Sequence, residues 1–331
     1  MRNSRRHLVL AAAILAGIPI GLLSKATAQQ VYPTKPITIL VPAAAGGPTD
    51  TVTRLIGESM SRTLAQQVII ENVGGAGGTI GTVRVARAAP DGYTLLVWHI
   101  AQSTAPALYD NLRYDVLNDF DSIGRITDVP MTIVGKKDLA AKNIEDLLAW
   151  VKEKKTGVTY GHAGVGSASH LCALLFMNAL NTPMTAVSYR GTGPAMNDLL
   201  GGQFDMMCDQ TTGTTNHIKG GSIKGYAVTT RARLSTFPEL PTLAEAGIKD
   251  FEVTAWHAMW APKGLPKDVV DKLVGALQIA LKDPKVIERF ASLSTEPVPL
   301  EQATPAALRA QLEAEVPKWR RVIQAAGVKG E

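Results

Sequence analysis

The chain has 331 residues, with 34 Lys and Arg against 29 Asp and Glu, two cysteines and only 5% aromatic residues. Its formal net charge of +5 does not signal nucleic-acid binding, because four of the basic residues fall in the first 28 positions and no Lys/Arg run with interleaved aromatics appears. The scarcity of aromatic faces also speaks against a sugar site.

At the amino terminus Arg2, Arg5 and Arg6 precede an apolar run over residues 8–23, and Ala26-Thr27-Ala28 offers small residues for cleavage. This pattern predicts an export signal over 1–28, cleaved after Ala28, that delivers the protein to the periplasm by the general or the twin-arginine route. The run is shorter than the roughly 20 apolar residues of a spanning helix, it contains Pro19, and no later segment is apolar enough to span. Loss of Arg2, Arg5, Arg6 and Lys25 leaves 30 basic residues against 29 acidic ones, a net charge of +1. The remaining chain of about 300 residues exceeds one ordinary hydrophobic core and predicts two domains.

Strand-like runs over 37–42, 67–72, 93–98, 158–163, 185–189, 204–209 and 224–230 alternate with helical patterns, which predicts an α/β fold with parallel sheets. The first run leads into VPAAAGGPTD, residues 41–50, and then a helix over 51–65. Gly46 and Gly47 let the backbone approach a carboxylate or phosphate at the positive end of that helix, while Thr49 or Asp50 serving only as a helix cap is the plainer alternative. The loop VGGAGGTIG, residues 73–81, does not match G-x-G-x-x-G and reads as a tight strand-to-helix connection. His99 follows the third strand at its carboxyl edge, where it either donates to a ligand carboxylate or is satisfied by loop backbone.

Two extended runs, 130–136 and 251–262, read as crossings between domains. They divide the chain into a first lobe of residues 31–129 plus 253–331 and a second lobe of residues 130–252. In the second lobe, AGVGSASH (163–170) repeats the strand-glycine-helix pattern: Gly164 and Gly166 free the backbone, and Ser167 and Ser169 bind a ligand or cap the helix. Two such loops at strand carboxyl ends occupy the edge where open α/β sheets bind ligands. Tyr189 and Arg190 end the neighbouring strand. Asp209 ends another, where it would repel a carboxylate unless it meets an amine or hydroxyl or caps the next helix. Cys172 and Cys208 read either as a disulfide suited to an oxidising compartment or as two buried thiols. Three helical patterns follow, over 267–282, 284–293 and 305–327, and Pro317 is expected to bend or interrupt the last.

No G-x-S-x-G, H-E-x-x-H, P-loop or C-x-x-C occurs, and His162 and His170 lack a partner at metal-ligand spacing. Neither a catalytic group, a metal nor a cofactor is expected. The segments YPTKPITILVP, AAGGPTD, ENVGGAGGTIG, ARAAPDGYTLL, YGHAGVGSASH, SYRGTGPAMNDLLGGQFDMMCDQ, LPTLAEAG and WAPKGLPKDVVDKL, in this order, resemble the periplasmic solute receptors of tripartite tricarboxylate transporters, the Bug family. The resemblance covers essentially the whole chain after the signal. It implies a monomeric, non-enzymatic, two-lobed Venus-flytrap protein with a mainly parallel sheet in each lobe and a small organic acid between them. It also implies delivery to large and small integral permease subunits. The ligand contacts it implies are Ala45, Gly46, Gly47, Thr49 and Asp50 in the first loop, and Gly164, Val165, Gly166, Ser167, Ala168, Ser169 and His170 in the second. Residues 43–45 and WHIAQST (98–104) depart from the family pattern, and Trp98 or His99 would favour an aromatic or bulkier acid. A receptor that docks on a membrane sensor and an exported α/β enzyme are the competing readings.

Overall fold

Every strand run read from the sequence forms a strand in the computed structural model, which describes residues 32–325 and 327; the export signal over 1–28 lies outside them. The first half of the chain gives β1 (Ile37–Val41), α1 (Pro48–Leu64), β2 (Val68–Asn72), α2 (Thr79–Ala86), β3 (Thr94–His99), α3 (Ala101–Leu108), β4 (Phe120–Lys136) and α4 (Ile144–Lys154). The second gives β5 (Thr159–His162), α5 (Ala168–Leu180), β6 (Thr185–Ser188), α6 (Thr192–Leu200), β7 (Met206–Gln210), α7 (Thr211–Lys219), β8 (Ile223–Val228), β9 (Thr254–Pro262), α8 (Lys267–Lys282), α9 (Pro284–Ser292) and α10 (Pro305–Ala325).

The strands join in the order β2-β1-β3-β9-β4-β7-β5-β6, with β8 also on β4. This corrects the expectation of two mainly parallel sheets. β1 pairs in parallel with β2 and β3, and β5 with β6 and β7, but β3–β9, β4–β9, β4–β7 and β4–β8 are antiparallel. The cause is β4, a strand of 17 residues that serves both halves: Phe120 to Pro130 pair with β9, and Met131 to Lys136 pair with β7 and β8. The sequence reading captured only its last seven residues, because FDSIGRITDV intersperses polar groups that the strand's long ladder tolerates. The described residues form one compact unit.

Apolar alternation on β1 buries Ile37 and Ile39 against Val52, Ile56 and Met60 of α1 and Leu273 and Leu277 of α8. A second core joins Met131 and Ile133 of β4 to Leu171, Cys172 and Phe176 of α5. Cys172 and Cys208 form a disulfide there, Cα to Cα 6.0 Å, which ties α5 to β7. α10 runs unbroken through Pro317, so of the bend or interruption expected there the interruption does not occur. Its buried stripe of Leu308, Leu312, Val316, Trp319 and Ile323 continues across the proline. The Trp319 indole N–H donates to Glu315 Oε2 at 2.5 Å over the same turn, so packing outweighs the one hydrogen bond that proline removes.

Candidate ligand site

The carboxyl ends of β1, β3, β5, β6 and β7 converge on a cavity of 440 Å³. Helices begin on its wall. Gly47 caps α1, Gly78 caps α2 and Gln210 caps α7, each without a side-chain hydrogen bond, and Thr192 opens α6 behind the equally bare cap Gly191. The first N–H groups of a helix have no partner within the helix, so these termini gather unsatisfied donors and positive dipole ends around one space. Among the described residues lining the cavity none is Asp or Glu, and Arg190 is the only Lys or Arg. Arg190 is exposed.

In the first loop Gly47 and Thr49 line the cavity, whereas Ala45 and Gly46 face a separate hollow beside Thr192 and Gly193. The structure does not use Asp50 or Thr49 as the cap of α1. Asp50 is buried, accepts from the Gly46 N–H at 2.9 Å and from Arg54 Nε at 2.9 Å, and so braces the loop from behind. Burial pushes its pKa up, but the bonds from Arg54 and Gly46 prevail and hold it below the usual carboxylate value. The Thr49 hydroxyl lies 3.0 Å from His257 Nε2, and His257 Nδ1 lies 3.0 Å from the Ala255 carbonyl. A carbonyl only accepts, so Nδ1 carries the proton of a neutral His257 and Thr49 donates to Nε2. Burial pushes the pKa of His257 down to about 4, which keeps it neutral.

His99 lines the cavity with its ring stacked on Trp98, centroids 3.9 Å apart at 23°. Its Nδ1 accepts from the Ala101 N–H at 3.1 Å. Burial, and then the neighbouring His257, hold it neutral with a pKa well below the ordinary value, so the proton sits on Nε2. The plainer reading of His99 describes Nδ1, and Nε2 remains a donor for the cavity.

The second loop repeats this use of histidine. His162 Nδ1 accepts from Gly164 N–H at 3.2 Å and His170 Nδ1 from Gly166 N–H at 3.1 Å, the two rings 4.5 Å apart. Burial and His162 push His170 down to about 3. Gly164, Val165 and Ser167 line the cavity; Gly166, Ala168, Ser169 and His170 form the layer behind. Ser167 caps α5 by accepting from His170 N–H at 3.2 Å, and Ser169 Oγ accepts from Ala163 N–H at 2.9 Å. The two hydroxyls are 3.1 Å apart. Either hydroxyl can donate to the other, and when Ser169 does so the Ser167 proton is free for the cavity.

On the third side Tyr189 lines the cavity, but its hydroxyl donates to Asp198 Oδ2 at 2.8 Å. Asp209 is fully buried outside the lining, its Oδ1 3.4 Å from the Thr192 hydroxyl. Burial pushes its pKa up to about 7, against the hydrogen bonds from Gln210 and Thr192. The sequence reading missed the loop over 74–78, which forms a whole wall. Its glycines are there for close approach: a Cβ on Gly77, at φ +59°, would stand 2.2 Å from the Val165 carbonyl and 2.5 Å from the Tyr109 hydroxyl. The density of glycine in VGGAGGTIG is the available signal, although it matches no nucleotide motif. Tyr109, far along the chain and unmarked by any pattern, had none. Among the described residues no group of three His, Cys, Asp or Glu is placed to hold a metal, and no helix is long and apolar enough to cross a membrane.

An α/β sheet with a donor-rich cavity at its carboxyl edge is the architecture of the periplasmic binding proteins. Residues 52–328 match the family described as tripartite tricarboxylate transporter family receptor. A UPF0065 protein from the ttuE–ttuC′ intergenic region of Agrobacterium vitis is 57% identical over 302 residues, 91% of this chain and 87% of its own. The solved periplasmic binding protein BugD is 50% identical with a TM-score of 0.88, over 91% of this chain and all (100%) of its own. MatC from Rhodopseudomonas palustris, solved with malate, is 37% identical with a TM-score of 0.85, over 88% of this chain and 100% of its own. A further R. palustris protein, solved with adipate, is 30% identical with a TM-score of 0.86, over 90% and 99%. The chain therefore belongs to the tripartite tricarboxylate transporter receptors, the Bug family of periplasmic solute-binding proteins, which are transport receptors and not enzymes.

Proposed function

We propose that this protein captures a small organic acid in the 440 Å³ cavity and hands it to the large and small membrane subunits of a tripartite tricarboxylate-type transporter. The observation that carries the reading is the ring of uncapped helix N-termini on a wall without a carboxylate. Such a ring favours an anion through backbone N–H groups and needs few formal cations. The malate and adipate held by two relatives support a carboxylate over a phosphate. Gly47, Thr49, His99, Gly164, Val165 and Ser167 are the proposed contacts, with Ala45, Gly46, Asp50, Gly166, Ala168, Ser169, His170 and Asp209 shaping the loops that present them.

The two-lobed division proposed from the sequence has support in β4, whose partner changes from β9 to β7 and β8 between Pro130 and Met131. That change falls one residue beyond the boundary at residues 129/130. Gly77 lies close to Gly164 and Gly47 close to Thr192, as closed lobes would bring them.

Thermal shift against aliphatic and aromatic mono-, di- and tricarboxylates tests the reading. An acid at 100 times its dissociation constant should stabilise the protein by about 2.7 kcal/mol. Ser167→Asp retains an N-cap residue but puts a carboxylate where the ligand's is to sit. It should abolish the shift that Ser167→Asn keeps. Equal ligand shifts in the two variants would remove Ser167 from the site.

A further inference from the structure

His257 does not line the cavity and is wholly buried, yet two residues of the cavity wall rest on it. It is the register partner of His99 across β3 and β9, the two rings meeting edge to face with centroids 5.6 Å apart. Its Nε2 stands 3.0 Å from the Thr49 hydroxyl. Because the Ala255 carbonyl takes the Nδ1 proton, Nε2 offers only a lone pair. A threonine hydroxyl has one proton and two lone pairs, so Thr49, its proton held by His257, turns only lone pairs to the cavity. His99 presents the opposite, an Nε2–H.

Resting on the carboxylate reading of the cavity, we propose that His257 is a positioning residue that acts through Thr49: it makes this part of the first loop an acceptor and so selects for a ligand hydroxyl between His99 and Thr49. A hydroxyl there accepts from His99 and donates to Thr49. A carboxylate oxygen has no proton for Thr49, and a methylene leaves both groups unpaired, which a site built around a hydroxyl rejects. The N–H groups of the helix termini hold the carboxylate, and His257 decides what stands beside it.

Isothermal titration of the mature protein with acids that differ by one hydroxyl, malate against succinate and mandelate against phenylacetate, tests the assignment. In a pair that binds, the hydroxy acid should be about tenfold tighter. His257→Phe removes the acceptor and frees the Thr49 proton, and should bring the two acids to within about twofold. His257→Gln, whose amide oxygen takes that proton, should keep the preference. Thr49→Val should abolish the preference by itself, and adding His257→Phe should change it no further, because one residue acts through the other. Equal affinities within each pair in the parent protein, or a preference that His257→Phe leaves intact, overturn the assignment; so does an equal effect of His257→Phe with and without Thr49. The imidazole nitrogen resonances of the parent protein need no variant: His257 should carry its proton on Nδ1, and a proton on Nε2 overturns the assignment. Failure of every acid to bind overturns the carboxylate reading of the cavity, and the nitrogen resonances still decide the direction of the Thr49 proton.

Discussion

Histidine in this protein is a backbone ligand before it is anything else. His99 turns Nδ1 toward the first N–H of α3, and His162 and His170 turn theirs toward N–H groups of the second glycine loop, which fixes the tautomers and holds that loop and the start of α3 without adding charge to the site. Asp209 is the opposite case, an acid whose burial pushes its pKa up to about 7. A carboxyl raised above its ordinary value of 3.8 supports the fold fully below that value and loses the contribution as pH rises through about 7. Asp209→Asn, which keeps the size without the charge, should therefore stabilise the protein by about 2–4 kcal/mol at pH 8 and change it little near pH 4. Denaturant unfolding of both proteins across that range reads the difference. Parallel pH profiles would show that Asp209 does not titrate as described.

At the scale of elements, the loops matter through how closely they meet. The segment over 74–78 reaches the Val165 carbonyl and the Tyr109 hydroxyl at a distance only glycine allows. Gly77→Ala adds both a collision and left-handed strain, for which about 1–3 kcal/mol of lost stability is expected, together with weaker ligand binding because the two walls are pushed apart. Melting temperature and ligand affinity should fall together. A melting temperature equal to that of the parent protein would mean that the walls do not meet as described. The same loop marks a limit of reading by motif: its glycines were visible in the sequence, but their use became visible only with Val165 and Tyr109 beside them.

For the whole molecule, one covalent tie spans the site. Cys172 lies on α5, which is capped by Ser167, and Cys208 lies on β7, which ends at Gln210, so the bridge couples two walls of the cavity. With a separation of 36 residues, loop-closure entropy assigns it about 3–4 kcal/mol. The variant with Cys172→Ser and Cys208→Ser should unfold at correspondingly lower denaturant. Because both cysteines are buried, a mild reductant should leave the native protein intact and act on it only once unfolded. Loss of stability in the folded state on reductant alone would contradict that burial.

The sequence by itself determined most of the strand segments, where the glycine loops fall, that the chain is an exported α/β receptor of its family, and two of the loops that face the strand carboxyl ends, but not the first ten residues of β4 or the wall formed by residues 74–78. Those are properties of local pattern, where period, β-branching and glycine act within a few residues. The tertiary structure decided the antiparallel joining of the sheet through β4 and the survival of α10 across Pro317. It also decided the tautomers of the histidines and the division of each loop into residues that line the cavity and residues that brace them. Most of these depend on a partner distant in the chain, such as β9 for Phe120–Pro130, the α3 and β4 surface beneath the buried stripe of α10, His257 for Thr49, and Val165 for Gly77, whereas the Nδ1 partners of His99, His162 and His170 lie two to four residues away. A local pattern carries no record of which distant surface it will meet.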